Sequence, residues 1–178
     1  MGSKNKLKRF RENETFGNVF QPTREDIVDT VFPLKGNWNK EVFKNDNPIV
    51  LELGCGKGEY SVGLAARYPE KNFIGIDIKG ARFWRGAKTA VENGLNNVAF
   101  IRTQIELIED VFAENEVSEI WITFPDPQIK YKRTKHRLTN AEFLQRYKKI
   151  LNETGVVNLK TDSEFMHGYT LGLLHGEG

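Results

Sequence analysis

Short apolar runs recur along the chain from residue 49 onward, several of them bounded by glycine, asparagine or proline. Runs of this length are too short for core helices and favour strands that are buried on both faces of a parallel sheet. We predict strands at residues 49–53, 72–78, 97–102, 117–124 and 155–161.

Segments with a helical spacing of apolar positions separate these strands. In the first of them the apolar positions are Val62, Leu64 and Ala65, and Pro69 closes the helix. We predict helices at residues 59–68, 81–93, 106–112, 140–151 and 164–174, with Asn140 as an N-cap. Strands that alternate with helices predict an α/β domain, a doubly wound and mostly parallel sheet with helices on both faces.

The first 47 residues differ from the rest, because they show little apolar periodicity. We predict a basic, partly ordered N-terminal arm over residues 1–47, with one short helix from Thr23, and the α/β domain over residues 48–178. Ligands of such sheets bind at the carboxyl ends of the strands. We expect the functional site at that edge, where Gly54, Asp77 and Asp126 fall.

The composition excludes several classes of protein. Cys55 is the only cysteine, which rules out a disulfide framework and a cysteine-based zinc cluster. No apolar run approaches the ~20 residues that a membrane helix needs, and the N-terminus carries no secretory apolar segment. We therefore expect a cytoplasmic protein with no membrane partner and no metal.

Positive charge is clustered, although the formal net charge is only +2. One cluster crowds the N-terminus and a second follows Asp126. Two local patches on a nearly neutral protein favour a polyanionic partner, with solvated loops as the alternative. Arg82, Arg85 and Lys88 lie on a predicted helix, and we interpret them as a solvated face.

A glycine-rich loop, residues 54–58, leads from the first predicted strand into the first helix. Its glycines allow the backbone to turn sharply and approach a ligand, although a tight strand-to-helix turn is the alternative. Asp77 ends the next strand, where a carboxylate can accept hydrogen bonds from ribose hydroxyls. Glu52 would oppose the pyrophosphate of a dinucleotide but suits the α-ammonium of S-adenosylmethionine. We expect S-adenosylmethionine as the cofactor, and a packing role for Cys55.

The segment Phe124-Pro125-Asp126-Pro127 follows the fourth predicted strand. Each proline fixes its own φ and biases the preceding residue toward extended conformations, so Asp126 projects with little freedom. An Asx-type turn is the alternative. Because the glycine loop and Asp77 belong to the same edge of the sheet, we favour a carboxylate that positions a substrate.

The chain resembles the bacterial tRNA (guanine-N7-)-methyltransferase family, with the segments IVLELGCGKGEY, NFIGIDI, GLNNV, FPDPQIKYKRTKHRL and LKTD in the family's order and spacing. The resemblance implies a Rossmann-like class I S-adenosylmethionine-dependent methyltransferase that methylates N7 of a guanine in the tRNA variable loop. It implies Asp126 as the catalytic residue. The cofactor-binding residues would be Glu52, Gly54, Gly56, Asp77, Gln104 and Asp126. The RNA-binding residues would be Lys130, Lys132, Arg133, Lys135, His136, Arg137 and Asp162.

Three features depart from the family pattern. Gln128 stands where the family usually has tryptophan, and Gln104 stands where it often has an aspartate near the adenine. The family fold normally continues into two more strands, so we expect a C-terminally truncated domain that lacks the last strands of the sheet. The alternatives are another S-adenosylmethionine-dependent RNA or DNA methyltransferase, or a non-catalytic RNA-binding module. Whether the protein is a monomer or a homodimer stays open.

Overall fold

A parallel sheet of six strands lies at the centre of the residues that the structure describes, 3–177. The coordinates are a computed structural model. The strands are β1 (Val19–Phe20), β2 (Ile49–Leu53), β3 (Asn72–Asp77), β4 (Val98–Arg102), β5 (Val117–Thr123) and β6 (Leu151–Lys160). Their order across the sheet is β1-β4-β3-β2-β5-β6, and every neighbouring pair is parallel.

Helices connect the strands. They are α1 (Ser3–Asn13), α2 (Arg24–Val28), α3 (Glu59–Arg67), α4 (Gly80–Glu92), α5 (Ile108–Val111), α6 (Ala141–Ile150) and α7 (Glu164–Glu177). The five predicted strands and the helices between them are confirmed. Asn140 caps α6 as predicted, because its side-chain oxygen accepts a hydrogen bond from the Phe143 N–H at 2.8 Å.

Strand β2 occupies the middle of the sheet and is buried along its whole length. Alternate side chains of β2 enter opposite cores: Leu51 packs with residues of α5 and α6, whereas Val50 packs with residues of α3 and α4. Helices therefore cover both faces, and the prediction of a doubly wound sheet is confirmed. The order β3-β2-β5 brings the carboxyl ends of three strands side by side, and these ends carry the predicted site.

The N-terminal residues contain elements that the apolar pattern does not predict: α1, β1 and a π-helical turn at Trp38–Phe43. Trp38 is fully buried, stacks on Phe112 with 5.5 Å between ring centroids, and donates its indole N–H to the Val111 carbonyl. Burying a large aromatic side chain stabilises a fold by about 1.5–3 kcal/mol. The predicted boundary at residue 47 stays a prediction, but this segment is joined to the domain: α1 packs on α4, and β1 pairs with β4 in the sheet. The short helix from Thr23 is confirmed as α2.

Strand β6 lies at one edge of the described sheet. It begins at Leu151, directly after α6, and therefore earlier than the predicted residue 155. The register with β5 shifts between the pairs Val117–Leu151 and Glu119–Val156, so residues 152–155 bulge. None of the helices in residues 3–177 combines the length and the apolar character that crossing a membrane requires.

Candidate functional site

The glycine-rich loop between β2 and α3 depends on left-handed backbone at three positions. Gly54, Gly56 and Gly58 have φ of +70°, +57° and +75°, values that favour glycine. A Cβ on Gly58 would lie 2.5 Å from the ring of Phe100, so packing also excludes a side chain there. A Cβ on Gly54 would meet no atom within 4 Å, which leaves open space for a ligand beside the backbone.

Glu52 lies in β2, immediately before this loop, and only 5% of it is exposed. Its carboxylate accepts hydrogen bonds from two hydroxyls, that of Ser61 on α3 and that of Thr123 at the end of β5, the latter at 2.7 Å. Within residues 5–176, whose side chains the structure describes, no salt bridge involves Glu52. Burial raises the pKa of Glu52, and the two hydroxyls oppose that rise. A buried carboxylate needs hydrogen-bonding or cationic partners, and a cationic ligand group would complete the pairing of Glu52.

Asp77 ends β3 beside the loop and is held by two backbone donors. One carboxylate oxygen accepts from the Gly56 N–H at 3.0 Å, and the other accepts from the Lys79 N–H at 2.8 Å. A carboxylate oxygen has lone pairs for more than one hydrogen bond. Asp77 is therefore fixed in orientation and keeps acceptor capacity for ligand hydroxyls.

A small cavity of about 180 Å³ lies at the end of β4, next to the residue that follows Asp77. Its walls include Ile78, whose side chain is half exposed, Thr103 and Gln104. The Thr103 hydroxyl is buried and has no hydrogen-bond partner among the described residues. A buried hydroxyl without a partner is costly. A heteroaromatic ring with polar edges, bound in the cavity, would supply the missing hydrogen bond. Together with Glu52 and Asp77, these groups match the ammonium, ribose and adenine of S-adenosylmethionine.

The Asp126 loop is bracketed by two residues with left-handed backbone, Phe124 (φ +47°) and Gln128 (φ +48°). The Phe124 N–H donates to the Lys160 carbonyl at 2.7 Å, which ties the start of the loop to β6. One oxygen of Asp126 accepts from the Gln128 N–H at 2.9 Å. The Asx-type turn is thus present. The other oxygen forms no hydrogen bond among the described residues, and the side chain is exposed, so one acceptor remains for a substrate.

The basic run after Asp126 divides into exposed and buried members. A short 3₁₀ helix, Tyr131–His136, presents its cations to solvent, and the exposed ones of the run are Lys130, Lys132, Arg133 and Lys135. His136 is half-buried, whereas Arg137 is only 5% exposed. Asp162 is exposed in the turn between β6 and α7. Four of the predicted RNA-binding cations are therefore free to meet a polyanion, and Arg137 is not.

A second basic surface borders the glycine loop, because Lys57 of that loop lines it. A cleft of about 810 Å³ opens between α1 and α4, and the cations along it are Lys6, Arg9, Lys57, Lys79, Arg82, Arg85 and Arg102. Helix α1 is docked by Arg9, which lies 4.7 Å from the Trp84 ring, and by Glu12, which accepts from the Trp84 indole N–H at 2.8 Å. We interpreted Arg82 and Arg85 from the sequence as a solvated face. Both are exposed in the structure, in agreement with that interpretation, and they also line the basic cleft.

Comparisons with known proteins place the chain in a family. A family model described as "Putative methyltransferase" matches residues 46–175. A tRNA (guanine-N(7)-)-methyltransferase of Christiangramia forsetii is 79% identical over 178 residues, which is 100% of this chain and 80% of the relative. A protein of the same name from Bacteroides fragilis is 54% identical, covering 98% of this chain and 69% of the relative. The chain belongs to the tRNA (guanine-N(7)-)-methyltransferase family.

Solved structures that resemble this family member show the fold. An antibiotic-related methyltransferase has a TM-score of 0.60 at 18% identity, over 85% of this chain and 78% of that one. A 16S rRNA (adenine(1408)-N(1))-methyltransferase from Catenulisporales acidiphilia, solved with S-adenosylmethionine, has a TM-score of 0.54 at 17% identity, over 70% and 60% of the two chains. The prediction of a Rossmann-like methyltransferase fold is confirmed.

Sequence reasoning missed several residues of this candidate site. Ser61, Thr123 and Thr103 belong to no motif that predicts a role, because an isolated hydroxyl is common in helices and strand ends. Only the structure reveals them. The hydroxyls of Ser61 and Thr123 bond Glu52, and the buried Thr103 hydroxyl, next to Gln104, has no hydrogen-bond partner among the described residues. Within the described residues, no group of three or more His, Cys, Asp or Glu side chains is arranged to hold a metal ion.

Proposed function

We propose that the protein transfers a methyl group from S-adenosylmethionine to N7 of a guanine in the variable loop of tRNA. Membership of the family supports the reaction. The structural observation that supports it is that the carboxylates suited to the cofactor, Glu52 and Asp77, and the carboxylate suited to the substrate, Asp126, belong to the same edge of the sheet. Glu52 lies in β2 and Asp77 ends the neighbouring strand β3, and Thr123, which bonds Glu52, lies three residues before Asp126.

The cofactor would be held by the loop and its carboxylates. Glu52 would pair with the α-ammonium, Asp77 would accept from the ribose hydroxyls, and Gly54 and Gly56 would let the backbone approach. Gln104 and the partnerless Thr103 hydroxyl would bond the adenine edge. When bound, S-adenosylmethionine supplies an electrophilic methyl group on a sulfonium. Family members often have an aspartate where Gln104 stands, and an amide oxygen can accept from an exocyclic amino group in the same way.

Asp126 would orient the guanine and stabilise charge. N7 of guanine carries a lone pair and accepts a methyl group without losing a proton, so the residue need not act as a base. Its free oxygen would accept from guanine N–H donors, which fixes the base in a near-attack geometry. Because the methylated guanine is cationic, the carboxylate would also stabilise the positive charge that develops. Asp162, exposed at the end of β6, would provide a second acceptor.

The exposed cations would bind the tRNA backbone. Lys130, Lys132, Arg133 and Lys135 would contact phosphates next to Asp126, which gives affinity and register without reading the sequence. The basic cleft between α1 and α4 would extend this surface to the far side of the cofactor. We place the reaction in the cytoplasm, where tRNA is found, and assign it to the domain of residues 48–178.

Incubation of bulk tRNA with methyl-labelled S-adenosylmethionine, followed by nucleoside analysis, tests the proposal. We expect label in N7-methylguanosine. Label in N6-methyladenosine would assign another methyltransferase activity, and tRNA binding without any label would favour a non-catalytic RNA-binding module. Either result overturns the proposed reaction.

A further inference from the structure

Arg137 is the buried member of an otherwise exposed basic run. Its guanidinium donates from Nε to the Gln128 carbonyl at 3.1 Å and from Nη2 to the Ile129 carbonyl at 3.2 Å. Both acceptors lie in the loop that carries Asp126. The neighbouring cations in the run expose their charge to solvent, whereas Arg137 directs its charge at the protein backbone.

Two aromatic rings of α7 hold the same guanidinium on its apolar side. Its central carbon lies 4.8 Å from the centroid of Phe165 and 4.5 Å from the centroid of Tyr169. The rings are one helical turn apart and nearly parallel, with 13° between their planes. A guanidinium stacks well on aromatic faces, and this contact strengthens as water is removed.

Helix α7 is itself fixed next to Arg137. Thr139, two residues further along the chain, shares a hydrogen bond of 2.7 Å with the Thr170 hydroxyl, and both residues are buried. Met166, on the same helix, is fully buried. The guanidinium therefore connects a firmly packed helix to an exposed loop.

The backbone of Gln128 links this connection to Asp126. Its N–H donates to the Asp126 carboxylate, and its carbonyl accepts from Arg137. Gln128 has a φ of +48°, a conformation that is unfavourable for a residue with a side chain. Such a conformation persists only where its surroundings hold it. Here the N–H and the carbonyl of the strained residue, Gln128, are both held by hydrogen bonds.

We propose that Arg137 is a positioning residue that holds Gln128 in its left-handed conformation and thereby sets the direction of the Asp126 carboxylate, rather than a phosphate ligand of the RNA. Its effect on turnover rests on the proposed function. The opposite assignment, taken from the sequence, places Arg137 with the RNA-binding cations. The two assignments differ in a measurable way, because a phosphate contact contributes to the salt dependence of binding and a backbone contact does not.

The first test compares Arg137→Ala with Arg133→Ala, an exposed arginine of the same run. We expect Arg137→Ala to lower kcat for tRNA methylation about 10- to 100-fold, since a small misplacement of a reacting group is costly. Its tRNA Kd should stay within about 2-fold of wild type, with an unchanged slope of log Kd against log salt. Arg133→Ala should reduce that slope by about 0.7–0.9. A reduced slope for Arg137→Ala, with binding and turnover both restored by Arg137→Lys, would overturn the proposal.

A second measurement keeps the test independent of activity and of gross misfolding. Tyr169→Leu removes one ring beneath the guanidinium and leaves every cation in place. We expect faster amide hydrogen exchange at Gln128 and a several-fold lower kcat, with unchanged salt dependence and a cooperative thermal transition. Unchanged exchange at Gln128 in both Tyr169→Leu and Arg137→Ala would refute the positioning role. If the wild-type protein does not methylate tRNA, the proposed function fails, while the exchange and salt measurements still decide the role of Arg137.

Discussion

The Thr123 hydroxyl donates a hydrogen bond of 2.7 Å to the buried carboxylate of Glu52. Thr123 ends β5, from which the Asp126 loop departs, whereas Glu52 lies in β2 beside the glycine loop. This contact joins the side of the site that would hold the cofactor to the side that would hold the substrate. A substitution at Thr123 should therefore affect both sides of the site.

We expect Thr123→Val to destabilise the protein by about 1–3 kcal/mol, because it leaves one oxygen of a buried carboxylate without its donor. Affinity for S-adenosylmethionine should also fall, since Glu52 is no longer held in place. Chemical unfolding and calorimetric titration measure the two effects. Thr123→Ser, which keeps the hydroxyl, is the matched control and should remain close to wild type. Equal stability of the valine and serine variants would contradict the role of this hydrogen bond.

The raised pKa of Glu52 predicts a pH-dependent stability. Because burial lifts its pKa above the ordinary value of 4.5, the folded state binds the proton more tightly than the unfolded state. The stability that Glu52 contributes is therefore present below that value and is lost as pH rises through the folded-state pKa. We expect Glu52→Gln to be more stable than wild type at pH 7, with the difference shrinking toward pH 4. Unfolding curves at several pH values measure this difference in stability. A difference that does not change with pH would contradict the raised pKa of Glu52.

Two glycines of the loop should respond differently to alanine. Gly58→Ala combines a left-handed backbone with a Cβ 2.5 Å from the Phe100 ring, so we expect a loss of about 2–5 kcal/mol. Gly54→Ala incurs only the backbone cost, about 1–2 kcal/mol, because its Cβ would meet open space.

The same two glycine variants distinguish an effect on packing from an effect on cofactor binding. Gly54→Ala should weaken S-adenosylmethionine binding by more than its effect on folding suggests, since its Cβ would occupy the space left for the cofactor. Thermal unfolding with and without cofactor measures both quantities. An undiminished cofactor-induced rise in Tm for Gly54→Ala would place the cofactor elsewhere.

Replacement of Asp126 by asparagine separates the turn from the charge. Asparagine keeps an oxygen for the Gln128 N–H but removes the negative charge, so the loop should fold as in wild type. We expect kcat to fall about 100-fold, with tRNA affinity largely retained. Asp126→Ala, which also loses the turn, should abolish transfer. Single-turnover methylation measures these effects, and wild-type rates for Asp126→Asn would reduce the residue to a turn former.

Neutralising Lys132, Arg133 and Lys135 together should weaken tRNA binding and flatten its salt dependence. Each lost phosphate contact reduces the slope by about 0.7–0.9, so the triple variant should lose about 2 to 3. Lys148→Ala changes an exposed lysine on α6, away from the site, and serves as the control. Filter binding over a range of salt concentrations measures the slopes. Similar slopes for the triple variant and the control would exclude this surface as the tRNA contact.

The sequence by itself determines the succession of strands and helices from residue 49 onward and the position of the candidate carboxylates. Apolar runs, glycine loops and the two prolines around Asp126 are local signals, because they act within a few residues of the chain. The rule that parallel strands present ligands at their carboxyl ends then places Glu52, Asp77 and Asp126 together. These inferences need no knowledge of which distant side chains meet.

Only the tertiary structure decides what each charged side chain does. Arg133 and Arg137 are alike in sequence, yet Arg137 is buried because Phe165 and Tyr169, far along the chain, cover it. Helix α1 has little apolar periodicity and packs on Trp84 of α4, so the basic cleft forms only when α4 is in place. The hydroxyls that meet Glu52 come from two other elements. Such roles depend on contacts between residues that are remote in sequence, and a local sequence pattern does not predict those contacts.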